Sequence, residues 1–122
     1  MSLHKSFSAF AELLLANQGL TAIDQFYHPN IEQYENYEEA LKGKKLLRAK
    51  EETLSQEVSD ITTTLSEVVI VEQEQLVWGR MSITFNSQQV GKKILDQAFM
   101  QRWSDGQIIE QRFYYAGVRD QE

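Results

Sequence analysis

The 122-residue chain contains no cysteine, one proline and two histidines. Without cysteine, a disulfide framework, a thiolate metal site and a cysteine nucleophile are all excluded, and a reducing compartment is the natural setting. His4 and His28 lie far apart and lack the His-x-x-x-His spacing of a zinc-binding helix, so no metal is expected. Glycine-rich phosphate loops and Gly-x-Ser-x-Gly elbows are missing too, and no cofactor is expected. No apolar run exceeds that of 13–16, far short of the roughly 20 residues that span a membrane. The first residues lack the layout of a secretory signal, so the expectation is a cytoplasmic protein with no membrane partner. Positive charge is scarce: 12 Lys and Arg against 18 Asp and Glu leave a net charge of −6, which disfavours the phosphate contacts of nucleic-acid binding.

Apolar residues make up 42% of the chain and aromatics 11%, enough for one sizeable core and a single domain over 1–122. Leu3, Phe7, Phe10, Ala11 and Leu14 recur at helical spacing and predict a helix over 3–16, stopped by Asn17-Gln18-Gly19. Thr21 is the expected cap of a second helix running to Tyr27 and ending near Pro29. A short strand is expected over 31–35, then a polar connection to Gly43 and a third helix over 44–54. After Ser55 the composition turns β-branched, predicting a long bent strand through Val71 and a second from Leu76 to Phe85. Two more follow over 93–104 and 107–117, joined by Asp105-Gly106, a strong two-residue hairpin signal. The order α-α-β-α-β-β-β-β belongs to the α+β class. A long, mostly antiparallel sheet covered by three helices on one face will curl around them into a cone.

Several residues then become recognisable. Phe26-Tyr27 precedes a short strand, Gly43 opens a helix, and the ending reads Arg102-Trp103-Ser104-Asp105-Gly106-Gln107-Ile108-Ile109-Glu110. This resembles the SnoaL-like and ketosteroid-isomerase-like branch of the nuclear transport factor 2-like (cystatin-like) superfamily. The resemblance implies a cone whose wide end holds a ligand. It leaves the activity open, because isomerases, dehydratases, cyclases, transport factors and protein-association modules share this shape. Counting back from Gly43, the position of an aspartate base in ketosteroid-isomerase-like enzymes falls on Tyr34, a poor proton acceptor near neutral pH. Where SnoaL-like cyclases carry His-Trp-Asp, this chain has Gln111, Arg112 and Phe113.

Regular pairing through the Asp105-Gly106 turn places Ser104 opposite Gln107. Arg102, Met100, Ala98 and Asp96 then share a face with Ile109, Gln111, Phe113 and Tyr115, and this more apolar face is assigned to the cavity. Phe99, Trp103, Ile108 and Tyr114 fall on the outer face, where large apolar area marks the interface of a homodimer; in this family the sheet face often makes one. Expected ligand contacts are Met81, Met100, Arg102, Gln111, Phe113 and Tyr115. Arg102 can instead pair with a nearby glutamate, and the lysine and arginine cluster 42–50 reads as a solvated helix face. Catalytic candidates are Glu32 with Tyr34 on one side of the first strand, Asp96, and His28. The absent family acids favour a non-catalytic protein that binds a small apolar ligand. The alternatives are a proton-transferring isomerase, dehydratase or cyclase, and an association module without a ligand.

Overall fold

The structure, a computed structural model, describes residues 2–121. Helix α1 (Leu3–Leu15) starts where the Ser2 hydroxyl accepts the Lys5 amide and ends at Asn17, which takes the left-handed conformation (φ 59°). That turn leads straight into α2 (Gly19–Phe26), so the helix begins before Thr21, which was the expected cap, and has no side-chain cap. Strand β1 (Tyr27–Glu35) begins four residues before the expected 31, directly where α2 stops. A two-residue strand β2 (Leu41–Lys42) lies in the predicted polar connection, and Gly43 (φ 98°) opens α3 (Lys44–Glu57). The remaining strands are β3 (Val58–Val71), β4 (Leu76–Ser87), β5 (Gly91–Ser104), β6 (Gln107–Tyr114) and β7 (Arg119–Asp120).

The sheet runs β2-β1-β6-β5-β4-β3, with β7 on β5; among the described strands only the β1–β6 pair is parallel. The expected bend in β3 occurs at Asp60 and Glu67, both at φ 53°, where the register with β4 slips. Asp105 (φ 49°) and Gly106 (φ 77°) form the turn that the sequence predicts. Immediately after it, however, Arg102 opposes Glu110 while Trp103 opposes Ile108, leaving Ile109 as an extra residue: a β-bulge.

One extra residue reverses every face assignment beyond it. Phe99, Gln101 and Trp103 share the helix-covered face with Gln111 and Phe113, whereas Ala98, Met100 and Arg102 point the other way. Phe99, Trp103 and Ile108 are therefore core residues, 1%, 2% and 0% exposed, and not the outer interface expected of them. Of that set only Tyr114 lies on the outer face, opposite Ala98.

The core fills the inner face from the β5–β6 turn. Phe10 meets Trp103 edge-on, Phe26 packs on both, and Phe7 stacks on Phe99 at 6.3 Å. Burial of each such ring contributes about 1.5–3 kcal/mol. Gly79 makes room for Phe99: a Cβ there would stand 2.9 Å from the ring. On the helix side, Arg48 of α3 bonds Asp24 of α2 at 2.7 Å and also Glu52, while Lys44 reaches the Asp24 carbonyl; the basic cluster thus ties α3 to α2.

Candidate functional site

Residues on the inner face progress from apolar to polar. A chain of side-chain hydrogen bonds crosses β5, β6 and β1. Trp103 Nε1 donates to Gln101 Oε1 at 3.0 Å, and Gln101 Nε2 donates to Gln111 Oε1 at 2.8 Å. Gln111 Nε2 then donates to both Tyr27 Oη (2.8 Å) and Gln33 Oε1 (2.9 Å). Gln101 and Gln111 are each 1% exposed, and no buried side-chain nitrogen or oxygen among the described residues lacks a partner. A buried amide is tolerable only when bonded in this way. Burial pushes the Tyr27 phenol up to about 12, so it stays protonated.

Farther along the same face the side chains are only half-buried. Ile83 and Leu95 oppose one another across β4 and β5, and Phe113 packs against the edge of the core. Tyr115 Oη donates to Glu35 Oε1 at 2.8 Å, and the Tyr115 amide donates to Asn36 Oδ1. Burial first, and the Glu35 carboxylate second, push the Tyr115 phenol up to about 12. Another carboxylate, that of Glu51, lies beside Gly19 at the start of α2. Glu51 of α3 has no hydrogen-bond or ion-pair partner among the described residues; partial burial raises its pKa, and its charge is felt by Tyr27.

Of the predicted ligand contacts, Met81, Gln111 and Phe113 lie on the inner face, and Tyr115 closes its edge beside Glu35. Met100 and Arg102 do not. The bulge at Ile109 turns both outward, where Arg102 pairs with Glu110 at 3.4 Å and Met100 lies between Trp78 and Arg112.

The catalytic candidates are likewise dispersed. Glu32 and Tyr34 do share a side, with Tyr34 Oη donating to Glu32 Oε1 at 3.0 Å, but it is the outer side. The Arg112 guanidinium lies 3.9 Å from the Tyr34 ring centroid, and the bond to Glu32 raises the Tyr34 pKa. Asp96 is also turned outward. Bonds from Ser82 and Arg119 lower its pKa and occupy it, so the inner-face placement expected for it is overturned. His28 Nδ1 accepts the Asn30 amide within β1, at the irregularity between Tyr27 and Glu32. The inner positions of β1 are thus Gln33 and Glu35, one residue to either side of Tyr34. Sequence reasoning passed over both of these, along with Tyr27, Gln101 and Glu51. The signal that was available is the run Gln97, Phe99, Gln101, Trp103, whose large rings alternate with Ala98 and Arg102 and mark the buried face of β5.

No group of three or more His, Cys, Asp or Glu among the described residues is placed to hold a metal, and no described helix is long and apolar enough to cross a membrane. Surface hollows among the described residues include two in separate places. One of about 190 Å³ is lined by Arg80, Ser82, Asp96 and Gln97, among others, and one of about 510 Å³ by Ser6, Phe26, Gln75, Asp105 and Gly106; neither reaches Gln33, Phe113 or Tyr115.

The sequence profile of the SnoaL-like domain matches residues 7–111, from the first helix to the inner glutamine of β6. The chain belongs to the SnoaL-like domain family. Solved structures place this SnoaL-like domain in the same fold. A candidate SnoaL-like polyketide cyclase from Mesorhizobium loti superposes with a TM-score of 0.82 at 21% identity, over 94% of this chain and 100% of that one. An LEH-like epoxide hydrolase from M. tuberculosis gives 0.71 at 14% identity, over 91% and 76%. An NTF2-like protein of unknown function from Burkholderia pseudomallei gives 0.76 at 9%, over 94% and 92%. At these identities the likeness establishes the fold, three helices on a mixed, mostly antiparallel sheet, and not the chemistry. No curated protein matches the SnoaL-like chain by sequence.

Proposed function

We propose that this SnoaL-like domain binds a small, largely apolar molecule at the half-buried end of its inner face, without transforming it. The observation that carries this reading is the character of that face. Its amides and phenols are bonded to one another or, for Tyr115, to Glu35, and the residues beyond them are Ile83, Leu95 and Phe113. Apolar walls with a few fixed polar groups are the usual composition of a small-molecule site. Equilibrium dialysis with diphenylmethane tests it. Binding is expected in the wild type and is lost in Leu95→Asp, which places a charge on the wall; equal binding by both proteins counts against the reading.

A second reading, proton transfer by an isomerase, dehydratase or cyclase, is supported by Glu51, a half-buried carboxylate with raised pKa. It requires Glu51 or Glu35 in place of Glu32 and Asp96. Its test is turnover of a cyclisable polyketide or an epoxide that disappears in Glu51→Gln; these are the substrate classes named for the structural neighbours.

We also propose that two copies associate through the outer sheet face in the cytoplasm. Trp78 (46% exposed) and Val69 (57% exposed) oppose each other there. Exposed aromatic and aliphatic area on an open sheet is the usual mark of an interface.

A further inference from the structure

The hydrogen-bond chain has a direction, and chemistry fixes it. An indole N–H can only donate, so the atom of Gln101 facing Trp103 Nε1 must be its oxygen. The Gln101 NH2 therefore faces the Gln111 oxygen, and the Gln111 NH2 faces Tyr27 and Gln33. Amide orientation, ordinarily assigned from the network, is here dictated by its donor-only end. Gln111 spends both of its N–H groups on these two acceptors.

One donor group is left open at the far end, the Gln33 NH2, since Tyr27 is itself buried in the core. No described residue accepts from Gln33 Nε2. Since no described side-chain nitrogen is both buried and unpartnered, that atom must be reachable from solvent. The surroundings restrict what it can receive. Glu35 is two residues farther along the same face of β1, and the Glu51 charge acts on Tyr27. An anionic group approaching the Gln33 amide meets the Glu35 carboxylate.

We infer that the Gln33 amide is a donor site for the carbonyl oxygen of a neutral, largely apolar ligand. This rests on the proposed use of the inner face for binding and adds to it the polarity of the ligand: an acceptor, uncharged. Trp103, some distance away, acts as a positioning residue, because it sets the sense of every amide between itself and the site.

Three compounds of similar shape separate the possibilities: benzophenone, which has a carbonyl; diphenylmethane, which lacks one; and diphenylacetate, which is anionic. Wild-type protein is expected to hold benzophenone about five- to tenfold tighter than diphenylmethane, the worth of one net hydrogen bond, and diphenylacetate more weakly than either. Gln33→Glu preserves the oxygen that accepts from Gln111 and removes the donor. It is expected to abolish the preference for benzophenone over diphenylmethane, read as the ratio of the two affinities, and Gln33→Leu, which removes the donor without adding charge, is the second variant. The carbonyl stretch of bound benzophenone moves to lower frequency in the wild type and returns in Gln33→Glu. Equal binding of benzophenone and diphenylmethane, sensitive to Leu95→Asp, overturns the donor site but leaves inner-face binding standing. Binding of neither compound overturns both. A benzophenone preference that survives in Gln33→Glu and Gln33→Leu also overturns the donor site.

Discussion

Replacing Gln101 with leucine should destabilise the domain despite making its interior more apolar. Gln101 is 1% exposed and bonded on both sides, accepting from Trp103 Nε1 and donating to Gln111 Oε1. Leucine of similar volume removes both bonds and leaves an indole N–H and an amide oxygen without partners. Each orphaned buried group costs about 1–3 kcal/mol, partly offset by the greater hydrophobicity of leucine, for a net loss of about 2–4 kcal/mol. At roughly 4 °C per kcal/mol for a domain of this size, Tm falls by about 8–16 °C. The double variant Gln101→Leu, Gln111→Leu should cost less than the sum of the single ones by about 1–3 kcal/mol, because the bond between the two amides is lost once. Urea unfolding of the four proteins measures this. A Gln101→Leu protein as stable as the wild type, or more so, would refute the idea of a dry, satisfied amide chain.

Gly79→Ala brings a methyl group to within 2.9 Å of the Phe99 ring, so about 1–3 kcal/mol of stability should be lost in denaturant titration. Tyr27 is buried and its pKa is raised to about 12 from 10.0, so its contribution is fully present below pH 10 and is lost as pH rises toward 12. Tyr27→Phe should therefore flatten the alkaline fall in stability, and phenolate absorbance should show one tyrosine ionising with unfolding. Glu51 is also raised, so its ionised form opposes folding; Glu51→Gln should stabilise at neutral pH, and the gain should vanish once the pH falls below the unfolded carboxyl's pKa. Sedimentation should give about twice the 14.2 kDa chain mass for the wild type and a monomer for Trp78→Glu.

Much of the fold could be read in the sequence because its signals are local. Helical spacing from Leu3 to Leu14, the β-branched run after Ser55, and Asp105-Gly106 each specify their own backbone. The two-residue strand β2 left no trace, since its pairing with β1 is a tertiary event. The site was less legible, for one reason above all. A bulge is a single unpaired residue, and Ile109 looks like any strand isoleucine; yet it decides that Trp103 and Phe99 join the helix-covered face while Arg102 and the buried Met100 face the other way. The inner glutamines were passed over because glutamine is usually a surface residue, and only the partners supplied by three strands make Gln101 and Gln111 tolerable inside. Gln111 and Phe113 both face inward, and neither side chain can move a proton.

Photolabelling decides most directly which face of the sheet is used. Benzophenone, irradiated in complex with the protein, inserts into neighbouring C–H bonds, and digestion followed by mass spectrometry locates the label. Binding on the inner face places it on Met81, Ile83, Leu95 or Phe113. Label concentrated on Val69, Trp78, Met100 or Tyr34 would put the ligand on the opposite side of the sheet and contradict the account.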